Sequence, residues 1–241
     1  KSTKNYNEYA KKIMNSNDLK TLKMANSVWY RTGMKLNNTF ETNIKNYYNA
    51  QSREIPFNKL GVEQINKWVS DNTDGMIKKI INSTDGQTCA YILNATLFDG
   101  KWTNKFVSSN VRQEKFKLFT GKKVKTKMMY DSENRYYEND YALAFEKTYE
   151  KDKKYSFIGI LPKAKGQFKL ENLNIPQLIT QKKKGYIQIA IPKFEYKWKR
   201  NIVPSMIDTG MVGIFNAFVP ALNPMFITSD ATNKYVNEII H

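Results

Sequence analysis

Cysteine and histidine are almost absent from this chain, whose 241 residues include one of each, Cys89 and His241. A single cysteine excludes an internal disulfide framework. One cysteine and one histidine cannot supply an ordinary zinc site, so we expect neither a metal nor a cofactor. Neither residue lies in a motif for nucleophilic catalysis, and the carboxylates are too dispersed to indicate a paired-acid site. The sequence therefore predicts a protein that is not an enzyme.

Long apolar runs and phosphate-binding motifs are absent as well. Every apolar run is well short of the ~20 residues that a membrane helix needs, so we expect no membrane association. The chain has no G-x-G-x-x-G sequence and no P-loop. Residues 1–12 (KSTKNYNEYAKK) do not contain the apolar core of a secretory signal. This leaves two alternatives, that export is absent or that a leader lies outside these residues.

Acidic residues are scarce relative to basic ones, 22 against 39, which gives the chain a net charge of +17. A charge of this size is typical of proteins that bind polyanions such as nucleic acid or heparin. The alternative is that lysine is simply the solubilising residue of the surface. The lysines are scattered in short clusters, which favours a solvated surface, and polyanion binding stays open as a second hypothesis.

The apolar residues follow both helical and strand periods, without a regular alternation of the two. This mixture favours an α+β fold over a doubly wound parallel sheet. No repeat, low-complexity segment or linker interrupts the chain, so we expect residues 1–241 to form a single domain. The predicted helices lie at 6–14, 38–48, 61–81 and 201–215, and the predicted strands at 22–30, 53–57, 88–102, within 111–162, and at 185–194.

The segment 88–102 (TCAYILNATLFDGKW) is apolar on both of its alternating faces. This pattern predicts a strand that is covered on both sides, in the middle of a sheet rather than at its edge. Asn94 interrupts the apolar pattern, and burial of its amide without a partner would cost on the order of 2–7 kcal/mol. We therefore expect Asn94 to have a specific hydrogen-bond partner.

Short motifs occur in a recognisable order along most of the chain. Residues 25–27 (ANS) are followed by residues 65–77 (INKWVSDNTDGMI) and by residues 94–102 (NATLFDGKW). Further motifs are Leu161-Pro162, Ile191-Pro192-Lys193-Phe194 and Gly210-Met211. Each motif is weak by itself, but their common order and spacing resemble those of the serpins. This family comprises suicide protease inhibitors and their non-inhibitory relatives.

The resemblance implies a serpin-like α+β fold, in which a large sheet A and smaller sheets B and C pack with several helices. Residues 25–27 resemble strand 2A, residues 65–77 helix F, and residues 94–102 the end of strand 3A. The implied function is inhibition of a serine or cysteine endopeptidase, which would be the partner of a monomeric inhibitor. The resemblance also slightly favours the extracellular space.

In serpins, the protease cleaves an exposed loop, which then inserts into sheet A between strands 3 and 5 and carries the acyl-enzyme with it. The metastable sheet gains a central strand, and this gain drives trapping. By resemblance, Asn94 and His241 would meet at the shutter of the sheet, with Asn26 nearby on strand 2A. Gly100 and Trp102 would lie at the breach, where the loop first enters. Ordinary core packing is the alternative role for Asn94, Asn26 and Trp102.

The sequence departs from the family pattern locally and in extent, and one local departure is a short segment before Gly185, where family members carry helices. Lys147-Thr148-Tyr149 stands where the family usually has leucine-proline-tyrosine. The family's first helices have no counterpart, and its reactive-centre loop and C-terminal strands would follow His241, so the reactive bond is not in this sequence. We therefore expect no inhibition from residues 1–241 alone. The alternative function is that of a non-inhibitory serpin-fold carrier or chaperone, which could also bind a polyanion.

Overall fold

The computed structural model describes residues 3–16, 18, 20–118, 120–151, 153–163, 173–196, 198, 200–227 and 232–239. They belong to two compact units, of which the first comprises residues 1–99 and 198–241 and the second residues 100–197. Both units contain helices and β-sheets, in agreement with the predicted α+β class. The organisation of the chain as one domain stays a prediction.

The helices and strands follow one another in an irregular order. The described α-helices are α1 (Thr3–Met14), α2 (Asn38–Tyr48), α3 (Lys59–Asn72), α4 (Ile175–Leu178) and α5 (Val203–Asp208). The described strands are β1 (Leu22–Arg31), β2 (Lys35–Leu36), β3 (Ala50–Ile55), β4 (Ala90–Phe98), β5 (Val111–Lys117), β6 (Lys123–Glu133), β7 (Tyr136–Glu138), β8 (Ala142–Thr148), β9 (Ser156–Pro162), β10 (Lys182–Lys183), β11 (Ile187–Pro192) and β12 (Phe226–Ile227). The second unit contains α4 and the strands from β5 to β11.

The first unit is built on a three-stranded sheet with the order β3-β1-β4, in which β3 is parallel and β4 antiparallel to β1. Trp29 of β1 is fully buried, and its ring meets the ring of Trp68 from α3 edge-on, with the centroids 6.3 Å apart. Ile65 and Val69 of α3 and Ala95 of β4 belong to the same core. α3 therefore covers one face of this sheet.

The opposite face of β1 contributes to a second core of the first unit. Successive side chains of a strand point to opposite faces, so Val28 lies away from its neighbour Trp29. Val28 packs with Leu36 of β2 and with Met225 and Phe226 near the start of β12, all of them buried. The strands β2 and β12 form a two-stranded antiparallel sheet.

The helix predicted at 61–81 is shorter in the structure. α3 begins after Asn58, whose side chain accepts hydrogen bonds from two backbone N–H groups of the first turn. It ends at Asn72, and Asp74 and Gly75 then have positive φ angles of 47° and 76°. This left-handed backbone directs the chain away from the helix axis, so the apolar residues that follow do not continue the helix.

One more helix and one strand have ends that differ from the predicted ones. The helix predicted at 201–215 is limited to α5, and Gly210, with a φ of 91°, stands between α5 and a separate 3-10 turn at Gly213–Phe215. The strand predicted at 53–57 starts earlier as β3, which pairs with β1 from Ala50 to Ile55. It ends before Pro56, which has no backbone N–H group to donate.

The second unit contains two antiparallel sheets, with the strand orders β10-β7-β8-β9 and β11-β6-β5. The strands predicted within 111–162 are therefore confirmed. The main core of the unit lies against the four-stranded sheet, where Tyr137, Ala142, Ala144 and Leu178 are buried. In the three-stranded sheet, β6 is the central strand and β5 lies at an edge.

Candidate functional site

β4, the strand that contains Asn94, lies at an edge of the described sheet. It pairs with β1, and no other described strand pairs with it on the opposite side. Ala95 and Leu97 are buried on the face toward α3, whereas Ile92 and Asn94 on the other face are exposed. The prediction of a central strand covered on both faces is therefore wrong for the described residues, because apolar side chains alone do not determine which face receives a packing partner.

Asn94 has a specific hydrogen-bond partner, but its amide is exposed, so the expected burial of this amide is wrong. It lies directly opposite Asn26 in the register of β4 and β1. Asn94 Nδ2 donates to Asn26 Oδ1 at 2.8 Å, and Asn26 Nδ2 donates to the carbonyl oxygen of Tyr48 at 2.7 Å. Thr96 Oγ1 donates to Asn94 Oδ1 at 3.0 Å. These bonds form a continuous chain from β4 through β1 to the end of α2.

The third predicted shutter residue, His241, lies outside the described residues. The structure brings Asn26 and Asn94 together across neighbouring strands. The pairing of Asn94 with His241 and the shutter role of all three residues stay predictions.

Trp102 belongs to an aromatic cluster of the second unit. Its indole ring stacks on the ring of Tyr149, with the centroids 4.3 Å apart and the planes inclined by 14°. Phe106 and Phe157 meet the indole edge-on, at centroid distances of 6.0 and 5.8 Å. Such pairs contribute about 0.5–1.5 kcal/mol each beyond the burial of their area. The three rings hold Trp102 in one orientation.

Hydrogen bonds with Glu150 hold the segment that contains Gly100 and Trp102. Trp102 forms an isolated antiparallel bridge with Tyr149. The N–H of Lys101 donates to Glu150 Oε1 at 2.9 Å, and the N–H of Glu150 donates to the carbonyl oxygen of Lys101 at 2.8 Å. Glu150 has a positive φ of 51°, which turns its backbone toward this segment. The breach role of Gly100 and Trp102 stays a prediction.

The second unit also contains a buried ion cluster that was not predicted from the sequence. Lys147 exposes 2% of its side chain, and its Nζ lies 2.7 Å from Asp131 Oδ2 and 2.6 Å from Glu133 Oε1. The same Nζ lies 4.6 Å from the ring centroid of Phe106. Burial by itself would lower the pKa of Lys147, but the hydrogen bonds and charges of the two carboxylates outweigh it, so the pKa lies above its ordinary value.

Two signals in the sequence could have led to this cluster. Lys147 is the first residue of the segment that departs from the leucine-proline-tyrosine of the family. Asp131 and Glu133 are two residues apart, so that on a strand they share one face. A lysine in an apolar position, together with two acids on one strand face, indicates an ion cluster.

Within the described ranges, no group of three or more His, Cys, Asp and Glu side chains could hold a metal ion. In the same part of the chain, no helix is both long enough and apolar enough to cross a membrane.

Solved structures share this arrangement of helices and mixed sheets. The thermophilic serpin tengpin in its native state matches with a TM-score of 0.86 and 29% identity, over 100% of this chain and 64% of that chain. Emu ovalbumin, 19% identical, matches with a TM-score of 0.82 over 97% of this chain and 64% of that chain, which shows the fold alone. The structure therefore has the α+β serpin fold.

The sequence comparison leads to the same class. The family model described as serpin (serine protease inhibitor) matches residues 1–241, and the chain belongs to the serpin family. Members of this family are mostly inhibitors that bind target proteases, rather than enzymes.

Curated relatives are similar over most of this chain. An uncharacterized serpin-like protein of Thermococcus kodakarensis is 29% identical over 228 residues, which cover 91% of this chain and 52% of that protein. Antitrypsin of Bombyx mori is 30% identical over 224 residues, which cover 87% of this chain and 57% of that protein. The chain thus spans about half the length of the curated relatives it matches.

Proposed function

We propose that this chain is part of a suicide inhibitor of a serine or cysteine endopeptidase, which traps the protease by inserting a cleaved loop into the sheet beside β4. The observation that carries the proposal is the edge position of β4 among the described residues. Two relatives from Bombyx mori, antitrypsin and antichymotrypsin-2, are 30% identical, and their names support inhibition.

An inserted strand would find hydrogen-bond partners along β4. An edge strand presents a row of unpaired N–H and C=O groups to an incoming strand. Each new backbone hydrogen bond contributes about 0.5–1.5 kcal/mol net, so a strand that pairs along all of β4 gains several kcal/mol. The exposed side chains of Ile92 and Phe98 add apolar surface on the open face of β4. This gain is the driving force that loop insertion requires.

We assign roles to the predicted site residues by resemblance. Asn94 and Asn26 form a latch that ties β4 to β1 near the middle of the strand, supported by their 2.8 Å hydrogen bond. His241 would complete the latch from the far side of the insertion gap. Gly100 and Trp102 would mark the breach, and the ring contacts of Trp102 fix the orientation of its side chain.

Peptide incorporation tests the proposal on the 241-residue chain itself. A peptide of alternating threonine and alanine, as long as β4, should add to the open edge and slow hydrogen exchange along β4. At a peptide concentration about 100 times Kd, the free energy of unfolding should rise by about 2.7 kcal/mol. For a chain of this size, that increase raises Tm by roughly 5–11 °C.

The control for this experiment is a peptide of equal length with proline at alternate positions, which cannot donate to a ladder. It should leave Tm and exchange unchanged. If the threonine-alanine peptide also leaves both unchanged, the edge of β4 does not accept a strand and the insertion mechanism is wrong for this chain.

The products of a reaction with a protease distinguish an inhibitor from a non-inhibitory carrier or chaperone. A protein that contains this chain together with a reactive loop should form a complex with a serine endopeptidase that survives SDS, because the acyl bond is retained. Cleavage of the loop without such a complex would instead favour the carrier or chaperone function.

A further inference from the structure

Five exposed lysines share one face of the hairpin that β5 and β6 form; we refer to this as the basic face. In the antiparallel register of the two strands, two of these lysines lie directly opposite two others. None of the five forms an ion pair with a carboxylate in the part of the chain that the structure describes. The basic face consists of Lys115 opposite Lys125, Lys117 opposite Lys123, and Lys127 next along β6.

The basic face opposes folding of the isolated protein. Side chains directly opposite each other have Cβ atoms about 4.5–5.5 Å apart, and pairs of like charge in this arrangement are destabilising. The one acidic residue of β5, Glu114, lies on the other face and accepts a hydrogen bond from Tyr130 Oη at 2.7 Å. Lysines that serve only to keep a surface solvated can be spaced apart, whereas the lysines of this hairpin lie directly opposite one another. A bound polyanion would remove the repulsion.

The shape of the hairpin narrows the choice of polyanion. The pairing of β11 with β6 extends from Glu133 to Met128, and the N–H of Lys193 still donates to the carbonyl oxygen of Lys127 at 2.8 Å. Beyond that point, where the two opposed lysine pairs lie, β5 and β6 form a two-stranded ribbon among the described residues. Every residue of β5 from Arg112 to Lys117 is exposed, on both faces of the strand. The major groove of B-form DNA, about 12 Å wide, admits a two-stranded β-ribbon.

The chemistry of this face of the hairpin matches a phosphate backbone better than bases, because its five lysines outnumber its one amide side chain, Gln113, which lies opposite Lys127. Lysine is a compact point charge that binds phosphate, whereas bidentate contacts to adenine edges are made by asparagine and glutamine, and those to guanine chiefly by arginine. Non-specific single-strand binding adds aromatic platforms on which bases stack. The basic face has none, since Phe116 of β5 points to the opposite face. We propose that the basic face binds the phosphate backbone of duplex DNA, independently of protease inhibition.

Salt dependence of binding to a duplex DNA of arbitrary sequence tests this proposal on the 241-residue chain. Five phosphate contacts give an expected slope of about −4.5 for log K against log salt concentration. Affinity should therefore fall about 500-fold between about 50 and 200 mM salt. The double variant Lys115→Gln/Lys125→Gln, which removes one opposed pair, should reduce the slope to about −2.7 and the fall to about 40-fold.

The matched control is Lys78→Gln/Lys79→Gln, which removes the same charge from an exposed segment after α3. This control should retain the slope of the unmodified chain. If both double variants reduce the salt slope equally, net charge alone governs binding, and the assignment of the site to the basic face is wrong. Tighter binding of heparin or single-stranded DNA than of the duplex, lost on Lys115→Gln/Lys125→Gln, would overturn the assignment to duplex DNA.

Discussion

Lys147 is a buried cation held by Asp131 and Glu133, and it lies over the ring of Phe106. Its pKa in the folded chain is raised above the ordinary value of lysine. The resulting contribution to stability is complete below the pKa of an unfolded lysine and is lost as the pH rises through the folded-state pKa. At neutral pH, Lys147 is therefore a stable, charged part of the second unit.

Lys147→Met should lower the free energy of unfolding, measured in urea by circular dichroism, by about 3 kcal/mol. Removal of one partner from a buried ion pair typically costs about 3–5 kcal/mol because the other charge is left uncompensated. We expect a loss at the lower end of this range because Asp131 is 29% exposed, so that water partly solvates its unpaired charge. The control is the triple variant Lys147→Met/Asp131→Asn/Glu133→Gln, which leaves no unpaired charge and should recover much of the loss. A loss well under 1 kcal/mol in the single variant would contradict the role assigned to Lys147.

At the scale of elements, the close approach of α3 to the end of β3 depends on Gly61. A Cβ atom at this position would lie 2.0 Å from the carbonyl oxygen of Pro56 and 3.2 Å from Cδ1 of Ile55. The first distance is far shorter than a van der Waals contact, and the atom it involves belongs to the backbone. A glycine at this position therefore lets α3 lie where Trp68 reaches Trp29.

Gly61→Ala should destabilise the chain by about 1–3 kcal/mol, because the forced shift of α3 resembles overpacking of a core. This outcome is opposite in sign to the gain of about 1 kcal/mol that alanine provides in an unobstructed helix. Gly86→Ala is the matched control, since a Cβ atom there meets nothing within 4 Å. It should be neutral or slightly stabilising. Equal thermal stability of the Gly61→Ala variant and the unmodified chain would show that α3 is not constrained at this point.

At the scale of the whole molecule, stability should decline at alkaline pH. Burial, together with the hydrogen bond to Glu146 and the charge of that residue, raises the pKa of Tyr137 to about 12. A tyrosine in the unfolded chain has a pKa of about 10. Because the folded-state value is the higher one, the contribution of Tyr137 is complete below pH ~10 and is lost between about pH 10 and 12.

Urea unfolding at a series of pH values can measure this loss, with Tyr137→Phe as the comparison. The variant should be less stable at neutral pH by about 1.5–3 kcal/mol, the usual contribution of a hydrogen bond to a charged group. Its free energy of unfolding should then fall less steeply above pH ~10, because the phenol that titrates has been removed. Parallel curves for the two proteins would show that Tyr137 does not govern the alkaline decline.

The order of residues was sufficient to predict the α+β class and the family, because helix and strand periods and short motifs are local properties of a chain. It also predicted that Asn94 needs a specific partner. The end of α3 was missed, since the positive φ angles of Asp74 and Gly75 override an apolar pattern that otherwise continues.

Tertiary structure was required for every feature that depends on pairing between distant residues. The edge position of β4, the contact of Asn94 with Asn26 across 68 residues, and the partners of Lys147 are of this kind. The opposition of Lys115 and Lys125 likewise follows from strand register, which sets side chains face to face whatever their local sequence. Composition establishes the charge of this protein, whereas folding determines where that charge is concentrated.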